Sequence, residues 1–158
     1  MDSIKEIVKW RDAMQMPPQT PEQAAALVKE ELREVMEEIE SLNPSRDKIG
    51  LELSDLIVTA VGLAQSCGID DLTHYLSIVL QSNYTKIMTE QQFDEMCRLF
   101  PIRNSDNGTM QVQKDGEWLS VKKSLRDGQN FYTLSDKNNK LRKPHTYIPI
   151  SEFLNQEK

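Results

Sequence analysis

The stretch Leu51-Glu52-Leu53-Ser54-Asp55-Leu56-Ile57-Val58-Thr59-Ala60-Val61 is the most apolar in the chain, yet it holds two acids three residues apart. On a helix, side chains at i and i+3 project from one face. A helix that is apolar nearly all round is a buried one, so the pattern predicts a central, buried helix over about 45–66. Gly68 suits the left-handed position past its end. Burying unpaired carboxylates costs several kcal/mol each. A cation, basic partners or protonation must offset that cost. Basic partners are scarce: Lys48 lies one turn before Glu52, and Arg33 points elsewhere on its own helix.

The preceding segment starts with Thr20 as cap, Pro21 at the first helical position and Gln23 where a capping box wants Glu or Gln. Its apolar stripe is Val28, Leu32, Val35, Ile39 and Leu42, and Asn43-Pro44 stops it. Of its acids, Glu30, Glu37, Glu38 and Glu40 read as a solvated face. Glu31 and Glu34 lie at i,i+3 beside the apolar stripe, where they repel one another unless something positive sits between them. Mg²⁺ meets that need: it takes oxygen ligands and keeps several waters, so a few carboxylates plus substrate phosphate complete its shell. Mn²⁺ is the expected substitute. On spacing alone, a salt-bridged structural cluster is the alternative.

A first helix is expected over Asp2 to about Gln15, with Ile4, Ile7, Val8 and Arg11 at helical spacing, ended by Met16-Pro17-Pro18. A fourth begins near Asp70 or Asp71 and reaches about Met88, on the stripe Leu72, Leu76, Val79 and Leu80. A fifth follows Thr89, which forms a capping box with Gln92. Beyond Pro101 the chain turns polar. Met110–Gln113 and Glu117–Val121 flank Asp115-Gly116 as a hairpin, and Asn130–Leu134 and Lys140–Arg142 make another pair. The tail His145–Ile150 is extended, and Ser151 to Asn155 form a last helical turn. The expected fold is mainly α, a bundle of four to five helices with a small C-terminal β-hairpin region. Residues 1–100 form the helical domain and 101–158 a β-rich appendage.

At 158 residues and a net charge of −6, the chain is long enough for a real core and too acidic for non-specific binding to nucleic acid polymers or anionic membranes. A polyphosphate bridged by a divalent cation remains compatible. Cys67 and Cys97 give neither a zinc pattern nor a disulfide framework and are expected as reduced thiols. Met1-Asp2-Ser3-Ile4-Lys5 carries no apolar signal core, and no apolar run approaches the length of a membrane span, so a cytoplasmic location with no membrane partner is expected.

Glu31-x-x-Glu34 followed by Glu52-x-x-Asp55 resembles the ExxE…ExxD signature of the all-α nucleoside triphosphate pyrophosphatases, the MazG-like, dimeric dUTPase and phosphoribosyl-ATP pyrophosphohydrolase group. Gln81-Ser82-Asn83-Tyr84-Thr85-Lys86 resembles that group's Ser-Asn-x-x-Lys segment, and Lys140-Leu141-Arg142-Lys143-Pro144 with Tyr147 resembles its Lys-Pro tail. The resemblance covers about residues 3–88, with a weaker echo over 130–154.

The resemblance implies Mg²⁺-dependent cleavage between the α and β phosphates of a nucleoside triphosphate or related nucleotide, giving a monophosphate and pyrophosphate. Glu31, Glu34, Glu52 and Asp55 would hold the metal, with Glu31 or Glu34 orienting the water. Asn83 and Lys86 would contact phosphate or sugar, with Arg142 and Lys143 as outside candidates that also read as a solvated tail, and Trp10 either stacks on the base or is a simple core residue. Asn83 also continues the stripe Leu72, Leu76, Val79, where a buried amide needs a hydrogen-bond partner. A homodimer or dimer of dimers is implied. The rival classes are a non-catalytic helical interaction module and a nucleotide sensor without turnover.

Overall fold

The computed structural model describes residues 3–15 and 17–155; Met16, which the sequence puts at the end of the first helix, lies outside them. By its internal contacts the chain divides into two compact units, Met1–Tyr75 and Leu76–Lys158.

In the first unit, α1 (Ser3–Ala13), α2 (Pro21–Glu40) and α3 (Arg46–Ser66) are followed by the start of α4 (Leu72–Tyr84). The α2 start is the expected capping box: Thr20 Oγ1 accepts from the Gln23 N–H and Gln23 Oε1 from the Thr20 N–H. Ser45 caps α3, and Glu38 clasps the turn between the two helices by accepting the Ser45 N–H at 2.8 Å. Glu38 is thus a turn clamp, not the solvated acid its surroundings suggest. Past α3, Gly68 takes φ +72° and the Ile69 N–H reaches back to the Ala64 carbonyl, the expected left-handed stop. α1 lies on α3 because Gly62 has no side chain: a Cβ there would come within 2.6 Å of the Arg11 guanidinium carbon, whose Nε donates to Gln65.

α2 and α3 pack along their length, but the buried apolar set is small: Ala24, Val35, Val61 and Ala64. The expectation of a fully buried α3 fails within this chain, since Leu51 is 65% and Ile57 54% exposed. One short helix and α2 cannot cover a helix that is apolar all round. By length and composition α3 is also long and apolar enough to cross a membrane. Its packing on the acid-rich α2, and two central carboxylates that would each cost roughly 3 kcal/mol at a bilayer centre, fit a helix covered by protein.

In the second unit, α4 ends at Tyr84, earlier than its stripe predicts, because Met88 is drawn into a sheet. The elements are β1 (Met88–Thr89), α5 (Glu90–Leu99), β2 (Ile102–Asn104), β3 (Met110–Lys114), β4 (Glu117–Arg126), β5 (Gln129–Ser135), β6 (Leu141–Arg142) and α6 (Ile150–Asn155). The antiparallel order is β1-β5-β4-β3-β2, with β6 also on β5.

This corrects the expected fold class. The chain is not a bundle of four to five helices with a small C-terminal β-hairpin region: the described residues hold six helices (53% of residues) and a six-stranded antiparallel sheet (19%). The physical reason is a second Asp-Gly turn. Asp127 and Gly128 have φ +49° and +76°, like Asp115 and Gly116 at +51° and +81°, the twist that joins adjacent antiparallel strands. Two separate hairpins thereby fuse through the β4–β5 pair, and β1, β2 and β6 add to the product. Amphipathic α5 contributes Phe93 and Met96 to the core with Met88, Val112, Leu119, Tyr132 and Leu134; the Phe93 and Tyr132 rings stack at 4.1 Å.

Candidate functional site

α2 carries Glu31 and Glu34, and α3 carries Glu52 and Asp55. The i,i+3 spacing puts each pair on one face of its helix. One carboxylate oxygen from each of Glu31, Glu52 and Asp55 lies within 4.8 Å of the other two. Like charges about 4 Å apart repel by roughly 1 kcal/mol even at the dielectric of bulk water. Glu31 registers that crowding. Loss of solvent first, then the charges of Glu34, Asp55, Glu30 and Glu52, push its carboxyl above the ordinary value.

Among the described residues no lysine or arginine pairs with Glu31, Glu52 or Asp55. Lys48 reaches Glu38 at 3.8 Å, and Arg33 pairs with Glu37 and, at 3.6 Å, with Glu34. A salt-bridged structural cluster would need a cation that these ion pairs do not supply. An all-oxygen donor set without an internal counter-ion fits a hard divalent cation. Burial contributes less than the sequence suggests: Glu52 is half-buried and Asp55 exposed. Proximity carries the signal. Glu34 stands outside the three-oxygen group, its side chain 41% exposed beside Arg33, although its charge still acts on Glu31.

The family model of the MazG nucleotide pyrophosphohydrolase domain matches residues 19–97, which hold both acid pairs. The chain belongs to that family. No curated protein and no solved structure matches it. Family membership gives the MazG domain a nucleotide substrate and the general activity of a nucleotide pyrophosphohydrolase, a hydrolase acting on acid anhydrides. Enzymes of the MazG type generally use divalent metals, in keeping with the donor set.

The match runs from just before α2 to near the end of α5, so α1 and strands β2 to β6 lie outside it. Trp10, on α1, is 49% exposed. Asn83 is exposed too, not buried; its Oδ1 accepts from Lys86 Nζ at 2.6 Å. The stripe drawn through Leu72, Leu76 and Val79 is one residue out of phase, for the buried residues of α4 are Ile78 and Ser82. The Ser82 hydroxyl donates to the Ile148 carbonyl at 2.9 Å and lies 3.1 Å from Tyr147 Oη. Ser82 and Tyr147 thus anchor the C-terminal tail, a role that a buried polar residue one step from an apolar position could have announced. Lys86, Arg142 and Lys143 line one cleft of the second unit.

Proposed function

We propose that Glu31, Glu52 and Asp55 of the MazG domain hold Mg²⁺ and that the protein hydrolyses the α–β phosphoanhydride of a nucleoside triphosphate, releasing a monophosphate and pyrophosphate. The observation that carries this reading is the convergence of three carboxylate oxygens within 4.8 Å with no cationic partner among the described ion pairs. The metal supplies charge neutralisation at the phosphates and a lowered pKa for water. Glu34, adjacent to Glu31 but outside the group, accepts the proton of the attacking water. Glu31 shares the metal with Glu52 and Asp55.

The apolar face left by α2 and α3, which includes Leu32, Ile39, Leu51, Leu53 and Ile57, is covered by a second copy of the chain, giving a homodimer or a dimer of dimers. Large apolar side chains on adjacent helices are the surface from which such interfaces are built.

The activity is tested by pyrophosphate release from a panel of NTPs and dNTPs with Mg²⁺ or with EDTA. Metal-dependent release that is lost in Asp55→Asn supports the reading. Release of orthophosphate in place of pyrophosphate, or turnover undiminished in Asp55→Asn, overturns it.

A further inference from the structure

The two faces of the sheet differ in kind. Side chains alternate along a strand, and directly opposed residues share a face. Val112, Leu119 and Leu134 belong to the core. The register therefore puts Arg103, Gln111, Trp118, Lys122, Arg126 and Phe131 on the outer side. No residue that the strands place on this outer face is acidic, and most of the others are amides and hydroxyls. None of the described ion pairs includes Arg103, Lys122 or Arg126. Lys122 donates to the neutral Asn139 amide at 3.1 Å, and the acid closest to Arg126 along the chain is Asp127, in the turn.

Arg103 is exposed, yet held in place. Its guanidinium carbon lies 3.9 Å over the centre of the half-buried Trp118 ring, and its Nε donates to Gln111 Oε1 at 3.0 Å. A planar cation stacked on an aromatic ring keeps its second flat side free for another planar group. From Trp118 the same face follows β4 for about 27 Å to Arg126, at the rise of an antiparallel strand. The net charge of −6 is also unevenly divided. Residues 1–75 carry 7 basic and 15 acidic side chains, a net of −8; residues 76–158 carry 12 and 10, a net of +2. The acidity that disfavours polyanions thus belongs to the first unit, and the sheet lies in the second.

We propose that the outer face of the sheet binds single-stranded nucleic acid, with a base on the Arg103–Trp118 stack and backbone phosphates on Lys122 and Arg126. Unpaired bases stack on aromatic rings and on guanidinium planes. Sheet and barrel surfaces that hold single strands combine such platforms with cations that follow the backbone. The surrounding glutamines and hydroxyls supply donors and acceptors for base edges and sugars. A duplex keeps its bases stacked on one another and offers no flat side to Arg103. An acidic peptide would use the cations and leave the stack idle. The strands that carry this face, β2 to β5, lie outside residues 19–97, so the face is an addition to the MazG domain.

The test is fluorescence anisotropy of a labelled oligo(U) of about ten nucleotides, within the span of one such platform, titrated with the full chain in EDTA. Saturable binding is expected, its logarithm falling against log salt with a slope of about −2, as for three phosphate contacts to a single strand. Arg103→Lys keeps the charge and loses the plane. It is expected to weaken binding at least about fivefold, the lower worth of one stacked base, with the slope unchanged. Lys122→Ala is expected to make the slope shallower by about 0.7, one phosphate contact. Both positions are exposed, where substitution leaves the fold intact. The proposal is overturned by absence of saturable binding, by wild-type affinity in Arg103→Lys, or by an unchanged slope in Lys122→Ala. Equally tight binding of a duplex of the same length, or competition by polyglutamate as effective as by unlabelled oligo(U), would overturn it too.

Discussion

The two units solve the problem of stability in opposite ways. Leu76–Lys158 closes a sheet over seven core residues, with Met88, Met96, Val112 and Leu134 fully buried. Among its described apolar side chains Met1–Tyr75 buries only Ala24, Val35, Val61 and Ala64, and it crowds three carboxylates on its central helix pair. One unit builds its core from its own side chains, although Leu76, Val79 and Leu80 on α4 stay exposed. The other carries an apolar face and a cluster of like charges, both of which ask for something additional. The proposed metal ligands lie in the unit with the smaller core, as expected where binding residues are held at some cost to stability.

The sharpest way to break this contrast is through activity. Glu52→Gln is expected to abolish metal-dependent turnover together with metal binding. Glu34→Gln is expected to lower kcat roughly 10²–10⁴-fold, the usual worth of a positioned base, while metal binding persists. Steady-state kinetics beside a metal titration separate the two; equal loss of binding in both would put Glu34 among the ligands.

Core truncation comes next. Leu134→Ala should cost about 2–5 kcal/mol at any protein concentration, the range for a fully buried leucine. Leu53→Ala, measured in dilute protein by denaturant unfolding, should cost less than about 0.5 kcal/mol, as exposed positions do. A cost that grows with concentration would indicate that the second copy covers this face. A large cost in dilute monomer would contradict the contrast itself.

Metal should stabilise one unit selectively. At a hundred times its dissociation constant, Mg²⁺ should add about 2.7 kcal/mol, read as slower amide exchange in α2 and α3 and not in β4 or β5.

The smallest effect concerns protons. Glu31 has its carboxyl raised above 4.5 by desolvation and by neighbouring acids. The folded, metal-free protein therefore binds that proton more tightly than the unfolded chain does. Its contribution is full below the ordinary value and is lost as pH rises through the raised one. Without metal, Glu52→Gln should flatten this fall and raise stability by about 0.3 kcal/mol, the worth of relieving one like-charge pair. Thermal melts in EDTA from pH 4 to pH 7 would register it.

How much of this was written locally in the sequence follows from the range of each interaction. Both capping boxes, the Asp115-Gly116 hairpin and the left-handed Gly68 depend on residues within a few positions, and all are in the structure as read. The sheet was missed although Arg126-Asp127-Gly128-Gln129 carries the same turn signature as the hairpin that was found. Once that turn joins β4 to β5, Met88 pairs with Tyr132, more than forty positions away, and shortens α4; no window around Met88 contains that partner. Among the four acids, Glu31, Glu52 and Asp55 converge while Glu34, at the same i,i+3 spacing, falls outside the group, so spacing on two packed helices narrows the direction of a side chain without fixing it. The stripe expected through Asn83 is one residue out of helical phase, and the surroundings of Glu38 read as solvated because its partner, the Ser45 N–H, belongs to a turn. The burial of α3 was overestimated because apolar composition states a need for cover and does not say which chain supplies it.

The most direct test of the central claim is an anomalous difference map from crystals of the protein grown with Mn²⁺. The account predicts a manganese peak between α2 and α3 with oxygens of Glu31, Glu52 and Asp55 at about 2.1 Å, the reach of a hard octahedral cation. A map with manganese absent from that group, and its carboxylates turned apart into solvent, would contradict it.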